Sequence, residues 1–105
     1  MPDTLTLTRM TPAHIPGALA LSQAADWLHR AEDWALLLSL SKGIVALERE
    51  RVVATALAAT LGPVAAMNMI IVDAGMHGRG LGQKVMVRAM EALDPLEWRL
   101  VATTT

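Results

Sequence analysis

Apolar and polar residues change their spacing along the chain in a way that predicts eight elements of secondary structure. Leu5 and Leu7 alternate with threonines, which is the period of a half-buried strand, whereas Leu81, Val85 and Ala89 recur at the spacing of one helix face. Read throughout, the pattern predicts the order β-α-α-β-β-β-α-β, over residues 5–10, 11–25, 29–41, 44–47, 52–61, 64–72, 81–93 and 97–103. The fold class is therefore α/β (α+β).

Helix signals and charges set the ends of several of these elements. Thr11 followed by proline is typical of a helix start, and Gly43 is typical of the stop after the second helix. The charged stretch Glu48–Arg51 predicts a hairpin tip that faces water. Residues 64–72 are almost wholly apolar, which indicates a strand covered on both faces at the centre of the sheet.

Composition narrows the classes of protein that the chain can belong to. Its 105 residues suit a single domain, 1–105, and 53% hydrophobic residues predict a packed core rather than disorder. The net charge of -1, without a basic tract, argues against nucleic acid as the main partner. No apolar run is long enough to span a membrane, the chain has no cysteine, and its three histidines are scattered. We therefore expect a cytoplasmic protein with no metal site.

Aromatic residues are scarce, which predicts an aliphatic core. The chain has no Phe and no Tyr, and its three tryptophans include Trp27 and Trp34 in the region of the first two helices. These two side chains could line a pocket for a substrate, but at helical spacing a place in the core is the favoured interpretation.

The strongest chemical signal is a cluster of glycines between the fourth strand and the third helix. Gly78, Gly80 and Gly82 alternate just where that helix begins. The first turn of a helix has unpaired backbone N–H groups and a partial positive charge, and glycine lets an anion approach them closely. The alternative is a tight turn that merely needs glycine. Three alternating glycines exceed that need, so we predict a phosphate or pyrophosphate site.

The spacing of the glycines disfavours two common nucleotide-binding loops. A dinucleotide-binding fingerprint would need a glycine at the position of Gln83 and an acidic residue about twenty positions further on. A Walker loop that starts at Gly75 or Gly78 would need Gly-Lys-Ser/Thr, which does not occur at either place. NAD, ATP and GTP are therefore disfavoured.

The sequence His77-Gly78-Arg79-Gly80-Leu81-Gly82 resembles the coenzyme A loop Arg/Gln-x-x-Gly-x-Gly/Ala of the GNAT superfamily of N-acetyltransferases. The order of elements also resembles the N-terminal two-thirds of that fold, which implies a mixed, mostly antiparallel sheet. By this resemblance, backbone groups of Ile70, Ile71 and Val72 would pair with the pantetheine arm of acetyl-CoA (coenzyme A). Backbone N–H groups from Gly78 to Gln83, including that of Leu81, would hold the pyrophosphate.

The chain departs from the family pattern in three ways. His77 replaces the leading Arg or Gln of the loop, and the fourth strand has Asn68 but no glutamate that could act as general base. The predicted elements also end before the family's last helix and two strands, and the chain has no tyrosine to protonate a thiolate. The catalytic residues are therefore not assigned.

The resemblance implies an acetyl-CoA-dependent N-acetyltransferase that acts on a primary amine of a small molecule or peptide. The alternative is a non-catalytic acyl-CoA-binding or interaction module, which the missing base and tyrosine favour. The outer edge of the fifth strand, residues 97–103, has no predicted partner, which predicts a weak homodimer through that edge.

Overall fold

The computed structural model describes residues 5–61, 64–78, 80–93 and 100–103. These residues form strands β1 Leu5–Arg9, β2 Lys42–Glu48, β3 Arg51–Leu61, β4 Val64–Val72 and β5 Leu100–Thr103, and helices α1 Ile15–Ala24, α2 Ala31–Ser39 and α3 Leu81–Glu91. Short 3₁₀ turns occur at Pro12–His14 and Ala74–Met76. The predicted order of elements and the α/β (α+β) fold class are confirmed.

The strands form one mixed sheet in the order β1-β2-β3-β4-β5. The first four strands are antiparallel, and β5 runs parallel to β4. The prediction that residues 64–72 lie at the centre of the sheet is wrong, because β3 occupies that place. Every residue from 52 to 58 is buried, since α3 covers one face of β3 and α1 covers the other.

The sheet separates two hydrophobic cores. The core on the α3 face joins α3 to the sheet through Val85, Ala89, Ala56 and Met67, among others. The core on the α1–α2 face surrounds Trp34, which is fully buried. Strand β4 contributes to both cores, so its apolar sequence does reflect cover on both faces.

The two N-terminal helices are shorter than predicted. The single helix expected over residues 11–25 is divided into a 3₁₀ turn and α1, because Pro16 has no N–H to donate to a carbonyl one turn earlier. The second helix begins at Ala31 rather than at residue 29. At its start, the carboxylate of Asp33 accepts a hydrogen bond from the N–H of Arg30, with an N–O distance of 2.7 Å.

Gly43 belongs to β2 and does not end the second helix, contrary to the prediction. A Cβ atom at this position would lie 2.6 Å from Cδ2 of Leu57 and 3.2 Å from Cδ1 of Leu38. Glycine is therefore needed here because α2 and the neighbouring strand approach the backbone closely. The hairpin tip is also tighter than predicted: only Arg49 and Glu50 separate β2 from β3.

The last predicted strand is observed only as Leu100–Thr103. The rest of its predicted span, including Trp98, lies outside the described residues. Among the helices of the described segments, none has the length and apolar character needed to cross a membrane.

Candidate functional site

Strand β4 contains a β-bulge before the glycine loop begins. Thr55 pairs with Ile71 and Leu57 pairs with Asn68, so one β3 residue faces two β4 residues, Met69 and Ile70. Met69 has φ +53°, in the left-handed region that non-glycine residues rarely adopt. At this point the alternation of β4 side chains between the two faces of the sheet shifts by one residue.

This shift decides which of the two cores each β4 side chain enters. Met67 lies in the core on the α3 face, whereas Met69 and Ile71 lie in the core on the α1–α2 face. Ile70 and Val72 pack back against the α3 face. A strand without a bulge would have placed Met67, Met69 and Ile71 on one side.

A buried threonine on β3 holds the bulge. The hydroxyl of Thr55, which is fully buried, donates a hydrogen bond of 2.7 Å to the carbonyl of Met69. Sequence reasoning missed this residue. The available signal was a single hydroxyl in an otherwise apolar stretch, Val52–Ala58, because buried polar groups in native proteins have partners.

The described pairing of β4 with β5 ends at Met67. The parallel pairing joins Val64–Met67 to Leu100–Thr103. Among the residues that the structure describes, no strand pairs with residues 68–72 on the side of β4 that faces away from β3. That segment is the open edge of β4.

The hydrogen-bond pattern shows which backbone groups face this open edge. The N–H of Asp73 donates to the carbonyl of Val53 at 2.8 Å, so it points toward β3. Successive residues of a strand direct their N–H and C=O groups to alternate sides, so Val72 and Ile70 face the open edge and Ile71 faces β3. The structure therefore favours Ile70 and Val72 over Ile71 for backbone contacts with a ligand.

Helix α3 begins beside this edge without a side-chain cap. Gly80 is its N-cap residue, and the N–H of Lys84 makes the first intrahelical bond, 3.1 Å, to the carbonyl of Gly80. No side chain in the described residues caps the first turn, so its N–H groups are available as donors. A Cβ atom at Gly78 or Gly80 would meet nothing within 4 Å, so there is open space beside the loop.

The local structure also requires glycine at each of these three loop positions. Gly78 has φ +85° and Gly80 has φ +68°, conformations that favour glycine. A Cβ atom at Gly82 would lie 3.2 Å from Cγ2 of Val72, so glycine lets α3 pack closely on β4. The glycine count alone therefore does not indicate an anion site; the uncapped donors and the adjacent open space do.

Asp73 organises the start of the loop. Its carboxylate accepts a hydrogen bond of 2.8 Å from the N–H of Gly75 and is 2.9 Å from a guanidinium nitrogen of Arg51. The N–H of Gly75, and then the guanidinium of Arg51, lower the pKa of Asp73, despite partial burial that acts in the opposite direction. The hairpin tip was predicted to be only a solvated turn, but Arg51 connects it to the loop.

His77 turns back toward the open edge. Its Nε2 atom is 3.1 Å from the carbonyl of Val72, so in this contact Nε2 carries the proton and donates. The ring thus contacts a backbone group of β4. Arg79 lies outside the described residues, Leu81 is buried in the core on the α3 face, and Gln83 is exposed.

Asn68 is the polar side chain of β4. It pairs with Leu57, whose side chain lies in the core on the α1–α2 face, and paired residues share a face, so Asn68 lies on that face too. Its Oδ1 atom is buried and has no hydrogen-bond partner. Strand β4 has no carboxylate, and no three His, Asp or Glu side chains converge anywhere in the described segments.

The favoured interpretation, a place in the core, holds fully for Trp34 and only in part for Trp27. Trp34 belongs to the core, and its Nε1 donates a hydrogen bond of 3.2 Å to the hydroxyl of Ser22. Trp27 is half-buried and belongs to the loop between α1 and α2, where its ring centroid is 5.5 Å from that of His29. Only Trp27 remains a candidate for contact with a substrate.

Comparison with known proteins places the chain among acetyltransferases. The model of the acetyltransferase (GNAT) family matches residues 11–102. A search of curated protein sequences gave no match.

Solved structures share the fold over most of the chain. A protein of Agrobacterium tumefaciens str. C58 described as a "Putative acetyltransferase" is 25% identical, with a TM-score of 0.75, and the match covers 95% of this chain and 81% of that one. A second match is the aminoglycoside acetyltransferase meta-AAC0020 from an uncultured soil metagenomic sample, in complex with sisomicin. It is 18% identical, with a TM-score of 0.75, and the match covers 98% of this chain and 78% of that one. Rv2747 of Mycobacterium tuberculosis, in complex with CoA and NLQ, is 18% identical, with a TM-score of 0.79. The match covers 95% of this chain and 64% of that one.

Proposed function

The chain belongs to the acetyltransferase (GNAT) family, and from this premise we propose that it binds acetyl-CoA and transfers the acetyl group to a primary amine. One observation carries the proposal: the open edge of β4 lies beside the uncapped N-terminus of α3, where a Cβ atom at Gly82 would be 3.2 Å from Cγ2 of Val72. An elongated ligand with amide groups at one end and a diphosphate at the other matches these two sets of backbone groups.

The described residues fit such a ligand. The C=O of Ile70 and the N–H of Val72 face the open edge, where they can pair with the two amides of the pantetheine arm as an added strand does, which leaves the N–H of Ile70 for the acyl group. The first turn of α3 offers donors and a positive dipole end to the pyrophosphate. The binding residues expected from the sequence are Ile70, Ile71, Val72, His77, Gly78, Arg79, Gly80, Leu81, Gly82 and Gln83. Among the strand residues, the proposal now gives the backbone contacts to Ile70 and Val72 rather than to Ile71, which faces β3.

Acetyl-CoA supplies a thioester-activated acetyl group. In the proposed reaction the amine nitrogen bonds to the carbonyl carbon, the carbon–sulfur bond breaks, and the amine proton is lost as the thiol forms. The N–H of Ile70 is the donor placed to polarise the carbonyl oxygen. The amide of Asn68, one residue before the bulge, can orient the acceptor but cannot act as a base at neutral pH.

The proposed acceptor is a small-molecule or peptide amine. The complex of one structural neighbour with sisomicin supports including aminoglycosides among the amines to be tested. The CoA bound to another neighbour supports the choice of acyl donor.

Binding is tested by following backbone amides while acetyl-CoA is added. We expect shifts to concentrate at residues 70–72 and 78–84. Gly80→Ala should weaken binding strongly, because it places a methyl group in the open space beside the donors and strains a residue at φ +68°. Lys84→Ala is the control, since it removes one exposed charge and leaves the backbone unchanged. A larger effect of Lys84→Ala would mean that side-chain charge, not the backbone, holds the ligand.

A second candidate function is a non-catalytic acyl-CoA-binding or interaction module. The observation that favours it is the absence of a carboxylate from β4. Release of thiol from acetyl-CoA in the presence of a panel of amines separates the two candidates. Binding without release, for every amine, would favour the module.

We also propose a homodimer formed through the outer edge of β5. Among the described strands, β5 has β4 as its one neighbour. An unpaired strand edge is a template for association with another chain. A cytoplasmic location stays a prediction from the sequence.

A further inference from the structure

The hydrogen bond from Thr55 fixes the direction of one peptide group at the bulge. The carbonyl of Met69 points toward the Thr55 hydroxyl on β3, at 2.7 Å. In a trans peptide the C=O and the following N–H point in opposite directions, and no described peptide bond is cis. The N–H of Ile70 therefore points away from Thr55 and toward the open edge of β4.

We infer that Thr55 is a positioning residue that aims the N–H of Ile70 at the acyl carbonyl of acetyl-CoA. The inference rests on the proposed function, because it concerns the donor that would contact the acetyl group. Thr55 itself is fully buried and does not touch the ligand. It acts through the Met69–Ile70 peptide.

Two features of the bulge make a dedicated partner necessary. Met69 has φ +53°, a conformation that costs an L-residue about 1–2 kcal/mol. Its carbonyl is also directed into the interior, where an unpaired acceptor is unfavourable. The Thr55 hydroxyl satisfies this carbonyl, so the peptide keeps one orientation. Without the hydroxyl, rotation of the Met69–Ile70 peptide would release the carbonyl from the interior and would turn the N–H of Ile70 away from the open edge.

If Thr55 positions this donor, loss of its hydroxyl should reduce the preference of the chain for acetyl-CoA over CoA. CoA lacks the acyl carbonyl, so the Ile70 donor should matter only for acetyl-CoA. Thr55→Val keeps the size of the side chain and removes the hydroxyl. We expect the ratio of acetyl-CoA affinity to CoA affinity to fall by about two- to tenfold, the value of one hydrogen bond. Thr55→Ser keeps the hydroxyl and should restore the wild-type ratio.

The experiment measures both affinities by titration and records the amide shift of Ile70 in each complex. In the wild-type chain this shift should differ between the CoA and acetyl-CoA complexes, and in Thr55→Val the difference should largely disappear. If Thr55→Val does not fold, Thr55→Cys takes its place, because a thiol is a weak donor and an intermediate loss is expected.

Ser22→Ala is the matched control for loss of a buried hydroxyl. The Ser22 hydroxyl is also fully buried; it donates to the carbonyl of Leu19 at 2.9 Å and accepts from Trp34, far from β4 in the sequence. This variant should lose stability and keep the wild-type affinity ratio.

The outcomes separate the two proposals. A folded Thr55→Val chain with an unchanged affinity ratio and an unchanged Ile70 shift difference would overturn the role of Thr55 and leave the proposed function intact. Failure of the wild-type chain to bind either CoA or acetyl-CoA would overturn the proposed function, and the role of Thr55 with it.

Discussion

At the scale of single residues, the two buried hydroxyl groups in the described core have different tasks. Ser22 links α1 to the indole of Trp34 on α2, and so holds two helices together. Thr55 bonds to the carbonyl at the bulge, and so holds a backbone conformation that the sheet alone would not adopt. Both cases follow from the cost of burying a polar group without a partner.

Asp73 predicts a pH dependence of the loop. Its pKa in the folded chain is below the ordinary value of 3.8. Its contribution to stability is therefore complete above that value and is lost as the pH falls through the lower folded pKa. We expect the free energy of unfolding to decrease over this acid range, and Asp73→Asn to remove that part of the decrease. Urea unfolding at a series of pH values measures it.

Glu91→Gln provides the control for the acid range, because Glu91 is exposed at the end of α3. This variant should keep the acid dependence of the wild-type chain. An unchanged acid dependence in Asp73→Asn would contradict the role given to the carboxylate.

The sequence predicted the loop residues of the candidate site but not the residues that support them. The glycines and the helix start are adjacent in the chain, so their pattern is local. Thr55 contacts Met69, and Arg51 contacts Asp73, only through the register of β3 and β4. Register depends on a bulge that has no sequence signature here, since Met69 is not a residue typical of positive φ.

At the scale of elements, α3 packs on a surface of small side chains. The sheet residues beneath it include five buried alanines, Ala46, Ala54, Ala56, Ala58 and Ala65. Small side chains let the helix approach the sheet closely, and the absence of Phe and Tyr from the chain accords with a thin core. The position of the α3 N-terminus therefore depends on these alanines.

Enlarging a side chain in this interface should be costly. Ala89 is fully buried on the face of α3 that meets the sheet. Ala89→Leu should lower the free energy of unfolding by about 1–3 kcal/mol, because a close-packed core cannot accept the added atoms without strain. Arg88→Leu, one residue earlier on the exposed face, should change it by less than about 0.5 kcal/mol. Denaturant unfolding would contradict this account if the two variants behaved alike.

The order of elements was predictable because helices and strands differ in period and because charged or turn-forming residues separate consecutive elements of the same kind. The ends were less predictable where one residue has two possible roles. Gly43 follows a helix, as a stop signal does, but contacts between α2 and β3 require it inside a strand. The missing N–H of Pro16 divides the predicted first helix into two parts.

At the scale of the whole molecule, the sheet has two different edges. Strand β1 forms one edge and pairs with β2 along its whole length, Leu5–Arg9. Strand β5 forms the other edge among the described strands and pairs with only the first four residues of β4. The open edge of β4 and the outer edge of β5 therefore lie on the same side of the sheet.

The proposed dimer through β5 predicts that the protection of β5 amides from hydrogen exchange depends on the protein concentration. Amides of residues 100–103 should exchange more slowly as the protein concentration rises, and sedimentation should show a weak dimer. Amides of β1 serve as the internal control, because the other edge of the sheet should not respond. A strict monomer with slow exchange at residues 100–103 would contradict the dimer, and so would concentration-dependent protection at β1.

The bulge in β4 also determines what holds the N–H of Ile70 toward the open edge. Asn68 and Met69 both point to the α1–α2 face, so Met69 is an additional residue between two stretches that each alternate regularly. Without it, every other β4 side chain would keep its face and Ile70 would lie opposite Ala56 in an uninterrupted ladder. In that ladder the N–H of Ile70 would still face the open edge, because Ile71 would still face β3, but the regular pairing of β3 and β4 would hold it there. With the extra residue present, the direction of this donor depends instead on one buried hydroxyl group, that of Thr55.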